Sequence, residues 1–213
     1  MTTETMTVHR ALAELKVLDT SIAKLIREAQ FCAAAKQSMK KLNGVDIEDF
    51  KQSAQSYLDK INDKMARQAA LKRALSDSNS RTYIKVAGVE FTVAMAIWMN
   101  QHGIDFQDAL LGQMERQYSN ATAVIENANA RLSDRADNFV SATNTASDKS
   151  NMDADTLKDI RQDYIDRETM VLIDGIDIKK TKTELAEKID KFKAEVDAAL
   201  SASNAVTEIT IEY

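Results

Sequence analysis

Ala74-Leu75-Ser76-Asp77-Ser78-Asn79-Ser80-Arg81-Thr82-Tyr83-Ile84-Lys85-Val86 decides how the rest of the chain is read. It opens the stretch from Ala74 to Ile97, the only place before the C-terminus where a helical pattern gives way to a strand pattern. It also has an echo in Ala199-Leu200-Ser201-Ala202-Ser203-Asn204-Ala205-Val206-Thr207-Glu208-Ile209-Thr210-Ile211. The shared skeleton is A-L-S-x-S-N-x-x-T-x-I, closed by a β-branched residue. Ser, Asn and Asp in such clusters satisfy backbone groups at helix ends and turns. A repeated cluster therefore predicts a repeated helix-to-strand junction.

Working outward, residues 82–86 read as a strand, Ala87-Gly88 as a tight turn and residues 89–91 as the returning strand. Thr92 then caps a helix, since its hydroxyl can accept from free backbone N–H groups. Thr92-Val93-x-x-Ala96-Ile97 matches Thr7-Val8-x-x-Ala11-Leu12, so both halves open their helices alike. After Thr7 the apolar residues Val8, Ala11, Leu15, Leu18, Ile22, Leu25, Ala29 and Cys32 keep a heptad seam. This predicts a helix to about Lys41, stopped by Asn43-Gly44 in the left-handed conformation. Asp46 opens a return helix that reaches the 76–80 cluster.

The chain has no proline and only five glycines, so long helices meet few breakers. A second, longer hairpin is expected from 93 to 206. Its outgoing arm to residue 140 would span roughly 70 Å at 1.5 Å per residue. Its returning arm carries Tyr164, Val171, Ile178, Leu185, Phe192 and Ala199 seven apart. The small polar run 141–152 reads as the tip, Gly103 as a kink, and Asp174-Gly175 as a kink or short break. Residues 207–213 alternate polar and apolar as a final strand. The expected organisation is a first helical hairpin over 1–80, a β-hairpin junction over 81–92, the long hairpin over 93–206, and a C-terminal strand over 207–213 pairing with the junction. The fold class is mainly α with a minor β element: two antiparallel, coiled-coil-like hairpins joined by a small three-stranded antiparallel sheet.

Two motifs carry a resemblance. V-A-G-x-x-x-T-V-A-x-A-I, from Val86 to Ile97, and A-L-S-x-S-N-A-x-T-x-I, from Ala199 to Ile209, resemble small helical proteins of bacteria and their phages that have no assigned function. Their pattern usually has an acidic residue where Met95 stands here, and often a proline near Gly175. The resemblance touches both halves through caps, a turn and strands. It implies a phage or prophage accessory or host-modulating protein in the host cytoplasm, and brings no catalytic residues.

The chemistry-bearing residues are few. The two histidines are His9 and His102, and His102 stands three residues from Asp105 without a visible third metal ligand. Cys32 sits on the seam with no neighbour that would lower its pKa. Asp159, Asp163 and Asp166 share a helix face, which Lys158, Arg161 and Arg167 can offset. Nucleotide-binding glycine loops, nucleophile elbows and zinc-protease motifs are absent from the sequence. Catalytic residues, a metal and a cofactor are therefore not expected. Arg73, Ser76, Ser78, Asn79, Arg81 and Lys85 gather donors around the junction, and Arg73, Ser78, Asn79, Arg81 and Lys85 are the candidate anion site for a phosphate-bearing small molecule. The second copy of the cluster lacks the arginines, which favours a shared capping role over a binding role.

The net charge of −5, and basic clusters (Lys36, Lys40, Lys41; Lys60, Lys64, Arg67) without interleaved aromatics, argue against nucleic acid. No apolar run reaches a membrane-spanning length. The N-terminus lacks the pattern of a secretory leader, so the expected setting is cytoplasmic. The leading expectation is a non-enzymatic helical interaction protein that binds itself as a homo-oligomer, a host protein, or both. The alternative is an oligomeric protein that sequesters a nucleotide signal, and a metal-dependent hydrolase stands third.

Overall fold

The computed structural model describes residues 2–146 and 152–213. Among these the chain is mainly helical, with three antiparallel sheets of two strands each. It divides into two compact units, Met1–Gly103 with Lys191–Tyr213, and Ile104–Asp190.

The first unit begins with strand β1 (Thr3–Thr7) and helix α1 (Val8–Glu28). A short hairpin, β2 (Lys41–Leu42) and β3 (Val45–Asp46), leads into α2 (Ile47–Arg81). Then come β4 (Tyr83–Val86), β5 (Val89–Thr92), α3 (Val93–Trp98) and a π-helical turn over Met99–Gly103. The second unit holds α4 (Ile104–Ala130), α5 (Leu132–Ala146) and α6 (Ala154–Glu168). Helix α7 (Ile178–Val206) starts in the second unit and ends in the first, where β6 (Glu208–Glu212) closes the chain.

Local chemistry explains the entries. Thr7 Oγ1 accepts from the Arg10 N–H at 3.3 Å, and Thr92 Oγ1 from the Met95 N–H at 3.1 Å. Ala87 and Gly88 have φ of +52° and +79°, the pair of left-handed residues that a two-residue hairpin needs. Asn43 (+51°) and Gly44 (+85°) do the same between β2 and β3. The Asn-Gly pair thus turns a hairpin; it does not stop α1. Helix α1 ends earlier than the seam predicts, at Glu28. Its last buried residue is Ile22, and a helix with no face to bury is marginal in water.

The C-terminal strand does not join the 83–92 hairpin. β6 pairs with β1, Met6 opposite Ile209 and Thr5 opposite Thr210, and the expected three-stranded sheet is replaced by separate pairs. The reason lies in the duplicated caps. Each strand that leaves an A-L-S-x-S-N helix pairs with the strand that enters a Thr-Val helix. The Val8 N–H donates to the Thr207 carbonyl at 2.8 Å, and the Val93 N–H donates to the Thr82 carbonyl at 2.8 Å. Register matches too: Met6 faces Ile209 as Phe91 faces Ile84. Burial follows the same equivalence, with Val8 and Val93, Ala11 and Ala96, Leu71 and Val196, Ile84 and Ile209, and Val86 and Ile211 all in the core. One contiguous cluster combines Met6, Val8, Ala11, Leu18, Leu71 and Leu75 with Ile209 and Ile211, so β1 and β6 share a core with α1 and α2.

Gly103 is buried inside the π-helical turn, where a Cβ would run into Met99 Sδ and lie 3.0 Å from Trp98 Cζ3. In the second unit, α5 packs on α6 through stacked Phe139 and Tyr164 rings, 4.8 Å apart, and an Arg161–Asp137 ion pair of 2.6 Å. Asp153 caps α6, accepting from the Thr156 N–H at 2.7 Å. The Asp174-Gly175 step is a full break, with residues 169–177 outside any helix. Residues 141–146 of the expected tip continue α5, and 147–151 lie outside the described residues.

Candidate functional site

The candidate anion residues sit on α2 and β4, and the helix keeps them apart. α2 stays helical through Arg81, so residues 76–80 do not form a loop. At 100° per residue, Arg73, Ser78 and Asn79 leave the axis in different directions. Arg73 lines an open groove of about 710 Å³ with Ser76, Asp77, Ser80, Thr210 and Glu212. Two carboxylates share that groove with one guanidinium. Arg81 is already engaged, 2.8 Å from Asp77 on an exposed face. Asn79 lines a second open groove of about 420 Å³ with Leu12, Lys72, Ala94 and Ile97. Ser78 turns its carbonyl to the Thr82 N–H at 2.9 Å, and Lys85 is exposed on β4 opposite Glu90. The five side chains do not converge on one volume. In the second copy, Ser203 Oγ lies 3.5 Å from Thr207 Oγ1, a contact inside the junction itself.

The remaining candidates are also dispersed. His9, His102 and Cys32 are exposed. Among the described residues, no three His, Cys, Asp or Glu side chains are grouped to hold a metal. Asp159, Asp163 and Asp166 are exposed on α6, where Gln162 Nε2 donates to Asp166 at 2.7 Å. No helix among the described residues is long and apolar enough to cross a membrane.

Three arrangements were not read from the sequence. First, Arg67 is not a surface cation. Its guanidinium bonds Glu14, Glu4 (2.8 Å) and the Tyr213 hydroxyl, and lies 4.8 Å from the Tyr213 ring centre. This ties α2 to α1, β1 and the C-terminus. The Arg67 hydrogen bond holds the Glu14 carboxyl below its ordinary value, and Glu14 in turn raises the Arg67 pKa. Second, Tyr118 on α4 lies against Lys179 and Lys182 of α7, whose ammonium groups are 5.7 and 5.0 Å from its ring centre. The hydrogen bond with Lys179 holds the Tyr118 phenol below its ordinary value.

Third, residues 169–177 form a non-helical segment with side-chain hydrogen bonds at both ends. The Asn129 amide grips the backbone of Met170, donating to its carbonyl at 2.9 Å and accepting from its N–H at 3.0 Å. The Asp174 carboxylate accepts from the Ile176 N–H at 3.0 Å and the Ile178 N–H at 2.8 Å. Between these anchors Val171 is 64% and Ile173 90% exposed. The sequence signal was the apolar run Met170-Val171-Leu172-Ile173, which the heptad reading absorbed into a helix. The same unit also exposes Phe106, Leu110, Val124 and Ile176, and among its described residues the buried apolar ones are Ile104, Leu132, Ala136 and Ile189.

Comparison of the chain with protein-family models, curated proteins and solved structures finds no match in any of the three.

Proposed function

We propose that the protein is a non-enzymatic interaction protein that presents apolar side chains of Ile104–Asp190 to another protein. The observation that carries this reading is the anchored segment 169–177. Apolar surface left in water costs about 25 cal/mol per Å² relative to burial. A segment that holds Val171 and Ile173 outward on a fixed backbone keeps that cost in the free protein. It releases the cost on binding without a further loss of backbone freedom. The occupant is a second copy or, in the setting implied by the sequence resemblance, a host protein with an apolar groove. Sequestration of a nucleotide signal has less support, because Arg73, Ser78, Asn79, Arg81 and Lys85 face different surroundings.

The test uses the full chain and Ile173→Asp. Light scattering over a concentration series reads self-association, and crosslinking in host extract reads a foreign partner. The substitution is expected to leave folding stability within about 0.5 kcal/mol, as at other surface positions. It should weaken the association by about tenfold or more, as loss of an apolar anchor does. Association that neither Ile173→Asp nor Val171→Asp alters would refute the reading.

A further inference from the structure

We infer that the surface joining the two halves of the chain also fits a second copy of this protein, reached by exchange of halves about the Ala87-Gly88 turn. The first half is residues 3–86, strand–helix–short hairpin–helix–strand, and the second is residues 89–212, with a strand and a Thr-Val helix at its start and a helix and a strand at its end. The entry strand of each half pairs with the exit strand of the other, β1 with β6 and β5 with β4. Both junctions repeat the same register, the same cap and the same 2.8 Å bond into the helix. An interface in which each partner offers the same entry and exit strands has the form of a two-fold contact between identical chains. Here the two partners are linked covalently through a two-residue turn.

That turn is the hinge. Ala87 is held at φ +52°, a left-handed conformation that costs a residue with a Cβ. Short hinge loops under strain favour exchange between copies. If the hinge straightens, residues 83–92 become one strand that pairs with its counterpart about a two-fold axis. Every pair of the closed form, Tyr83 with Thr92 through Val86 with Val89, then re-forms between chains. β1 of one copy meets β6 of the other in the same way. Only the turn changes, and Ala87 loses its strain. This inference stands on the first unit and does not depend on the reading of Ile104–Asp190.

The experiment distinguishes exchange from simple contact. Thr5 and Thr210 are direct strand partners, with hydroxyls 3.0 Å apart. In a full-length Cys32→Ser background, Thr5→Cys with Thr210→Cys gives an intrachain disulfide in the closed form and an interchain disulfide in the exchanged form. The ratio of the two is read on a non-reducing gel after refolding at high protein concentration. Ala87→Val, which resists the left-handed turn but keeps the N–H that donates to Glu195 at 2.7 Å, is expected to raise the interchain share by roughly tenfold. Ala87→Gly, which removes the strain, is expected to lower it by a similar factor, and supplies the test alone if the valine variant does not fold. A ratio that the hinge substitutions leave unchanged, or a dimer by light scattering whose disulfides are all intrachain, would overturn the inference.

Discussion

Leu71 is the position where the shared core can be tested most sharply. It is fully buried on α2, in the cluster that contains Met6 and Val8 from the start of the chain and Ile209 and Ile211 from its end. Leu71→Ala removes three carbons, about 2.4 kcal/mol at 0.8 kcal/mol each. The void left behind brings the expected loss to about 3–5 kcal/mol, because a core clamped between strands and helices collapses only partly. Val196, its counterpart on α7, is equally buried. It loses two carbons on truncation, so Val196→Ala should cost about 2–3 kcal/mol. Urea unfolding followed by fluorescence is the assay. Trp98 is the sole tryptophan and lies in the same unit, so the signal reports the unit being perturbed. With a slope of about 2 kcal/mol per molar urea, Leu71→Ala should lower the midpoint by about 1.5–2.5 M. Val17→Ala, at an exposed position of α1, is the control and should move it little. If Leu71→Ala behaved like Val17→Ala, the termini would not share a core with α2 and the duplicated junction would be wrong.

Other outcomes follow from the same geometry. Glu14 has a folded pKa below its ordinary 4.5, so its pairing with Arg67 stabilises the fold fully above that pH and is lost as pH falls through the lowered value. Urea midpoints between about pH 3 and pH 7 should therefore drop on the acid side, and the drop should be smaller in Glu14→Gln. An identical acid limb in that variant would count against the pairing. Thr92→Ala removes the side-chain cap of α3 and should cost about 1 kcal/mol by the same urea assay, with Thr7→Ala costing a similar amount at the equivalent position. Gly103→Ala places a methyl against Met99 and the Trp98 ring, and should shift the Trp98 emission and destabilise the first unit by about 1–3 kcal/mol. An unshifted spectrum would show that the π-helical turn is not packed this way.

The parts legible in the sequence were those with a local chemical cause. The Thr7 and Thr92 caps, the Ala87-Gly88 turn and the strands beside it follow from residues adjacent in the chain. The partner of the last strand does not. Residues 3–7 hold a single apolar side chain, Met6, so no alternation announces β1, although the matching Thr-Val caps already implied matching entry strands. Residues 76–80 look like a turn, yet packing of Leu71 and Leu75 and the Asp77–Arg81 pair carry the helix through them. That difference also separates the candidate anion residues, since donors that would sit close on a loop point apart on a helix. Arg67 gave no sign of its role, because an arginine on a polar helix face reads alike whether it meets water or two glutamates. The run from Met170 to Ile173 fits the heptad count, and the heptad count alone does not reveal that Asn129 and Asp174 claim its backbone.

The pairing of β1 with β6 has a consequence for synthesis. Thr2 and Tyr213 exchange backbone hydrogen bonds of 3.0 and 3.3 Å, so the core closes only when β6 has left the ribosome. At translation rates of about 5–20 residues per second, Met6, Val8 and Leu71 wait on the order of 10–40 s beside a nascent chain still missing their partners. A stop codon before Glu208 would leave the helices intact and the core open, so quality control of this fold is concentrated in β6.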